Sequence, residues 1–409
     1  MSGPLDGITV VEIANFAAAP CAAAIMADLG ADVIKVEAIG GDPIRMLMKQ
    51  PRIPEGEHNP DYPFQFVNRG KRSIELNLDD DRGIEIATRL IENADVVVTN
   101  LLPERRVRFG LDIDDLFAIK SDLVIGTLTG YGEQGDETDR PGFDVTAFFA
   151  RSGVLGGGTA PGGVPPHARP AQGDHTTGMA LFGGLMTGLR ARDQTGEGQV
   201  IEVSLLRAAT WTIAFDLQNS LVDGRPAYDR PREMAVTPMI EAFECGDGRW
   251  IQFAMPDAGD AWQRFVHGAD RLDLLEVPEY ATARDRFQNM TPLLETLGET
   301  FASRPSAEWM TRLDEHRCIF APINTSADAI VDPQVRATGA FEKIQHPIVG
   351  EFETIGAPFR MPLNPEVKVR GPAPESGADT NDILGAAMGL SEDQLASLEA
   401  DGIIGRGRS

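Results

Sequence analysis

The chain has 409 residues, 42% of them hydrophobic, and a formal net charge of -25. That length suits two or three domains, or one large interrupted domain, with enough apolar residues for a sizeable core. The acidic balance argues against a nucleic-acid binder or an anionic-membrane binder, both of which need basic surfaces, but leaves room for an anionic ligand in a local basic pocket.

Cys21, Cys245 and Cys318 are scattered with no CxxC spacing, and the six histidines form no HExxH pair, so neither a disulfide framework nor a metal site is expected. The N-terminal MSGPLDGITVVEIAN has no basic segment followed by an apolar one, and no run is long and apolar enough to span a bilayer. A soluble protein in the reducing cytoplasm is the expectation.

Ile8 to Ile13 is a short β-branched run of the kind found in buried parallel strands. An alanine-rich helix follows over Asn15 to Ala31, ended by Gly30, and Asp32 to Glu37 is a second strand. This βαβ unit implies a doubly wound sheet, although the first turn lacks GxGxxG. Ala17-Ala18-Ala19 suits either tight helix-on-sheet packing or close approach of a ligand to backbone N–H groups. Residues 40–70 read as a long loop, which in a compact domain is often functional. An alternating strand is expected within Asn68 to Leu78, a helix over Asp79 to Ala94, and a buried strand over Asp95 to Asn100. Arg105, Arg106 and Arg108 cluster just beyond that strand, at the edge where open α/β sheets bind ligands. They form either a solvated helix face or a phosphate contact.

Asp122 to Gly135 supplies another strand and a glycine-rich turn, and Gly142 to Gly153 reads as a helix. A Gly/Pro-rich connector, Gly153 to Gln172, then leads to Asp174. Met179, Leu181, Phe182, Leu185, Met186 and Leu189 recur at helical spacing, while Gly178, Gly183, Gly184 and Gly188 suggest close approach by another backbone or a ligand. Asp174 suits two roles at this helix start: an N-cap, or a carboxylate favoured in its ionised form and left accessible by glycines. A strand over Val200 to Val203 and one long helix over Leu205 to Gly224 follow. The chain then changes character, with an aromatic hairpin over Glu241 to Met255 and several short helices. The expected division is a large Rossmann-like domain from residues 1–224 and 331–409 and a smaller α+β domain from 225–330.

The blocks LGADVIKVE, NRGKRSIELNL, NLLPERRVRFGLD, LTGYGEQG and GDHTTGMALFGGLMTGLRARDQTGEGQVIEVSL resemble the family III CoA-transferases, as does the tail from HPIVGEFETIGAPFRMP to GADTNDIL. Formyl-CoA transferase and L-carnitine CoA-transferase are members of that group. The resemblance implies that Asp174, in the GDxxxG block, is the catalytic residue. It implies CoA contacts from Asn15, Phe16, Ala17, Lys71, Asn100, Leu101 and Arg108, no permanently bound cofactor, a coenzyme A thioester as substrate, and a homodimer of interlocked rings. Ala38 stands where the family often has arginine, and Ala17 where formyl-CoA transferase has glutamine, which argues against formyl or oxalyl substrates. Related racemases carry a GHD block whose histidine moves a proton; here it is Gly142-Phe143-Asp144, which favours the transferase. The alternatives are an acyl-CoA racemase or isomerase and a non-catalytic CoA binder. The resemblance further implies attack by Asp174 on an acyl-CoA, an aspartyl anhydride, and then an aspartyl-CoA thioester. Gly156 to Gly158 suits either a cover for that site or a plain connector.

Overall fold

The computed structural model describes residues 3–47, 61–226 and 235–407. Two compact units emerge: Met1–Gly158 with Pro166–Gly224 and Ala337–Ser409, and Thr159–Pro165 with Arg225–Arg336. The first is a mixed α/β structure around a seven-stranded sheet. Its strands are β1 (Thr9–Ile13), β2 (Asp32–Glu37), β3 (Arg72–Leu76), β4 (Val96–Thr99), β5 (Val124–Thr129) and β6 (Gln199–Ser204), and β12 (Ile404–Gly405) joins from the far end of the chain. The spatial order is β12-β3-β2-β1-β4-β5-β6. All pairings are parallel except that of β12 with β3. The order of β1 to β6 is that of a doubly wound sheet, and the crevice between β1 and β4 is its switch point.

Helix α1 (Ala18–Asp28) is buried along its whole length, which explains its alanines: larger side chains have no space. Its partner, α8 (Gln172–Thr195), crosses it closely. A Cβ added at Gly178 would lie 2.5 Å from the Ala18 carbonyl oxygen and 2.6 Å from Cys21 Sγ. Gly184 and Gly188 admit the Ile201 side chain of β6 in the same way, whereas Gly183 meets open space. Three of the four glycines therefore mark close packing.

Several expectations need correction. Residues 40–70 are not one loop: α2 (Ile44–Leu47) and α3 (Tyr62–Asn68) lie within them, the latter capped by Asp61 and carrying proline in its first turn. Residues 48–60 of that stretch lie outside the described residues. Strand β3 does not alternate between core and solvent, because its polar side chains are also buried; Ser73 Oγ donates to Glu37 Oε1 (2.6 Å) and Ser376 Oγ to Glu75 Oε1 (2.6 Å). Beyond β3 come α4 (Asp81–Glu92), α5 (Pro103–Arg108) and α6 (Ile113–Ile119). The segment read as an ordinary helix over Gly142 to Gly153 is a π-helix over Asp144–Ala150, followed by the single turn α7 (Val154–Gly157). The expected long helix over Leu205 to Gly224 breaks at Ile213 (φ -109, ψ 28) into α9 (Leu205–Thr212) and α10 (Ala214–Asp223). A β-branched residue there is poor at continuing a helix.

The second unit has a three-stranded antiparallel sheet, β7 (Ala242–Glu244), β8 (Trp250–Phe253) and β9 (Phe320–Pro322). Its core is aromatic: Phe301 stacks on Phe243 with centroids 4.9 Å apart, and Trp309 Nε1 donates to the Phe301 carbonyl (2.8 Å). Strands β10 (Phe341–His346) and β11 (Gly350–Ile355) form a hairpin in the first unit. Among the described residues, no helix is long and apolar enough to cross a membrane.

A buried ion cluster ties the first three strands together. Glu12 on β1 is flanked by Lys35 Nζ (2.8 Å) and Lys71 Nζ (2.5 Å), with all three side chains shut off from solvent. Burial pushes the Glu12 carboxyl up, but the two ammonium groups hold it below its ordinary range. Removing one partner of a buried pair strands a charge and costs about 3–5 kcal/mol, whereas an exposed pair contributes under about 1 kcal/mol. Lys71→Ala is therefore expected to lower the urea midpoint severely. Arg72→Ala, next in sequence but losing only the half-exposed ion pair with Asp32, should barely move it. Equal effects of the two changes would refute this ranking.

Candidate active site

The ends of β1 and β4 meet at the switch point through reciprocal amide bonds. Asn15 N donates to Asn100 Oδ1 (3.0 Å), and Asn100 Nδ2 donates to the Asn15 carbonyl (2.8 Å). Phe16 follows in the left-handed region, φ 64, a conformation that costs a phenylalanine of order 1–3 kcal/mol. It is held there because Phe16 N donates to Asp42 Oδ1 (3.1 Å). Asp42 is in turn anchored by Lys35 Nζ at 3.0 Å. The Phe16 ring meets Phe143 edge-to-face, centroids 5.2 Å apart.

These residues open onto a cavity of about 480 Å³. Asn15, Phe16, Asn100, Leu101, Arg108 and Asp174 all line it. The structure thus brings together six of the eight residues singled out from the sequence. Ala17 is not among the lining residues; it is buried in an apolar cluster with Cys21, Ile44 and Phe64. Lys71 is not there either, because its ammonium is spent on Glu12, Asn68 Oδ1 (2.9 Å) and the Pro20 carbonyl (2.8 Å) beneath the sheet edge. The expectation that Lys71 contacts CoA is corrected on that ground: all three of its donors are satisfied inside the protein.

Asp174 is the third residue of α8, not its N-cap. The cap position is Ala171, itself left-handed (φ 69), and it makes no side-chain cap bond. Among the described residues, no side-chain or backbone donor holds the Asp174 carboxylate. Burial first, and the nearby Asp144 carboxylate second, push its pKa up to about 7. Asp144 opens the π-helix and is itself buried; burial raises its pKa, while the backbone N–H groups of Val145, Gly173 and Ala171 work in the opposite direction. Gly173 is required here: an added Cβ would lie 2.7 Å from Phe148 Cγ and 2.9 Å from Asp144 Cβ. His175 turns away onto Phe66 (centroids 5.0 Å) and lines a separate cavity of about 220 Å³ with Cys21, Arg69 and Arg360.

The three arginines of α5 divide by helix face. Arg106 is buried and engages Glu133 (2.6 Å) and Asp112 (3.2 Å). Arg105 and Arg108, one turn apart, both line the main cavity. Arg108 also makes an exposed pair with Asp79 (2.7 Å). Arg105 was the member missed in narrowing the cluster to Arg108, and the i, i+3 spacing was the available signal. With Asn15 and Leu101 it also borders an adjoining cavity of about 380 Å³, lined by Val36 to Ile39 and Leu76 to Asp79. Ala38 lies there, so Arg105 is the arginine that borders both cavities. Gly156 to Gly158 line neither cavity. Among the described residues, no group of three His, Cys, Asp or Glu side chains is arranged to hold a metal ion.

Residues 5–380 match the profile of CoA-transferase family III. An (R)-2-hydroxy-4-methylpentanoate CoA-transferase from Clostridioides difficile is 30% identical, over 98% of this chain and 99% of its own. A cinnamoyl-CoA:phenyllactate CoA-transferase from Clostridium sporogenes is 32% identical (97% and 96%), and a succinyl-CoA:glutarate CoA-transferase from Mus musculus is 29% identical (98% and 90%). The crystal structure of a CaiB/BaiF family protein from Brucella suis matches with a TM-score of 0.83 at 27% identity, over 95% of this chain and all of that one (100%). The chain belongs to CoA-transferase family III and is an enzyme of the CoA-transferase type.

Proposed function

We propose that the enzyme moves CoA from an acyl-CoA donor to a carboxylic acid through covalent intermediates on Asp174. The observation that carries this reading is a carboxylate in the first turn of α8 that borders the switch-point cavity with no partner among the described residues to neutralise it. An Asp174 oxygen attacks the thioester carbonyl, the C–S bond breaks, and CoA leaves as thiolate, giving an aspartyl–acyl anhydride. The thiolate then attacks the aspartyl carbonyl and expels the donor's carboxylate, leaving an aspartyl-CoA thioester. The acceptor carboxylate attacks that carbonyl, and the released thiolate takes the acceptor's acyl group, restoring Asp174. No proton or electron is consumed, and each step exchanges groups of similar energy.

Asn15, Phe16, Asn100 and Leu101 would line the path of the CoA chain, with Arg108 and Arg105 at its phosphates. The large domain, 1–224 with 331–409, would bind CoA, and 225–330 would form the small domain. The exposed apolar side chains Trp211, Phe215, Leu221 and Val222 on α9 and α10 support a homodimer, which we propose has interlocked rings. The three free cysteines fit a cytoplasmic setting. The names of the similar enzymes include both apolar hydroxy acids and a dicarboxylate. Phe143 borders the cavity in place of the racemases' proton-carrying histidine, so transfer is preferred over racemisation.

Asp174→Asn should abolish transfer, whereas a mere helix-start residue would tolerate asparagine. Wild-type enzyme given acyl-CoA alone should gain a covalent adduct on Asp174, visible by peptide mass spectrometry after hydroxylamine trapping. Near-normal turnover by the variant, in a preparation free of deamidated protein, would sink the mechanism. The nucleophile is the anion, so kcat/KM should rise with pH and level off above about 7. Stability should run the other way. The folded state holds the Asp174 proton up to about pH 7 and the unfolded chain releases it near the ordinary 3.8, so the wild type loses stability across that window. Asp174→Asn should therefore melt above the wild type at pH 8, and the gap should close as the pH falls toward 4.

Arg108→Ala should raise the KM for acyl-CoA on the order of tenfold with little change in kcat, since it removes binding shared by ground and transition states. An unchanged KM would leave Arg108 a surface residue.

A further inference from the structure

Resting on the transferase reading, we infer that the acceptor and donor acids are monocarboxylates with an apolar, aromatic or branched tail, selected against dicarboxylates by the walls around Asp174. Those walls are Phe16, Ala18, Leu128, Pro141, Phe143 and Leu205. Phe16 and Phe143 meet edge-to-face and present ring surface to the cavity, a geometry that favours a flat or branched hydrocarbon group.

The charges point the same way. A dicarboxylate reacting at Asp174 must place its second carboxylate somewhere in this cavity, and burying that anion requires a cation beside it. The charged groups nearest the reacting end are acidic: Asp174 itself and Asp144 beneath it. Among the described residues, no ammonium or guanidinium perturbs Asp174. Lys71 is sealed under the sheet by Glu12, Asn68 and Pro20. Arg69 is committed to Asp28 (2.6 Å), and His175 faces the separate cavity. The cations that line the cavity, Arg105 and Arg108, sit on α5, where Glu104 shares the same wall and where the CoA phosphates would engage them. Among the described residues, a second substrate carboxylate would thus lie beside two acidic groups and aromatic rings with no counter-charge. An apolar tail there loses only its hydration shell, which is favourable.

The test is a matched panel with the full-length enzyme. The donors are 3-phenylpropanoyl-CoA and 4-methylpentanoyl-CoA on one side and succinyl-CoA and glutaryl-CoA on the other; the acceptors are the corresponding free acids. The expected result is a kcat/KM at least tenfold higher for the apolar monocarboxylates, with covalent loading of Asp174 by their CoA esters. Phe143 is largely exposed, so substitutions there keep the fold. Phe143→Ala should cut the preference, and Phe143→Arg, which supplies the missing cation, should shift kcat/KM toward succinate and glutarate. Equal or better use of the dicarboxylates by the wild type, with Asp174 still loaded, would overturn the substrate class and leave the transferase reading standing. Absence of loading or transfer with every member of the panel would overturn both.

Discussion

The pairing of Glu12 with Lys35 and Lys71 is the constraint on which the active face depends. It joins β1, β2 and the start of β3 inside the protein, where neither ammonium can find water. Lys35 passes the constraint on: its ammonium also meets Asp42, whose other oxygen takes the Phe16 N–H and holds a phenylalanine in the left-handed region. Phe16 then forms the wall of the cavity. A local strain at the ligand face is thus stabilised by a charge cluster behind the sheet, so that the rigid part of the fold, not the loop itself, fixes the geometry.

On the other side of the cavity the device is packing. The π-helix supplies Asp144, whose carboxylate faces the N–H groups of Ala171 and Gly173 at the start of α8. Those donors belong to a helix end that no side chain of its own caps. The contact places the first turn of α8, and Asp174 with it, against Phe148 with no room for a Cβ at position 173. The wider helix turn brings a buried acid next to Asp174, and π-turns recur at functional sites.

The sheet was legible because buried parallel strands such as Val96–Thr99 and Val124–Thr129 announce themselves as runs of apolar and β-branched residues, and Asp174, which lines the cavity, was singled out through its GDxxxG block. The errors have physical causes. Lys71 sits in a family block, but a sequence cannot distinguish a lysine that meets a ligand from one that neutralises a buried glutamate 59 positions earlier. Asp174 has the residue type of an N-cap and the wrong register by three, because Ala171 takes the strained cap position that local propensity would never assign it. Asp144 drew attention only as the neighbour of a missing histidine; its role depends on contact with Gly173, 29 residues away. The break at Ile213 leaves an amphipathic pattern intact on both sides, so periodicity alone reads through it.

Three carboxylates, Glu12, Asp144 and Asp174, meet three different environments in this chain. Glu12 is flanked by two ammonium groups, so its anion is stable and its pKa is held down despite burial. Asp144 faces backbone N–H groups, which offset part of its desolvation and make it a fixture of the α8 entrance. Asp174 has neither, and burial together with the Asp144 charge pushes it to about 7. On the proposed mechanism Asp174 is the nucleophile, and an anion that is poorly solvated and unpaired gains most by forming a covalent bond that disperses its charge. The same lack of a counter-charge works against the folded state, as expected of a residue that the proposed mechanism assigns to chemistry rather than to stability. Desolvation acts on all three residues; what sets Asp174 apart is that the described residues give it neither a cation nor a donor.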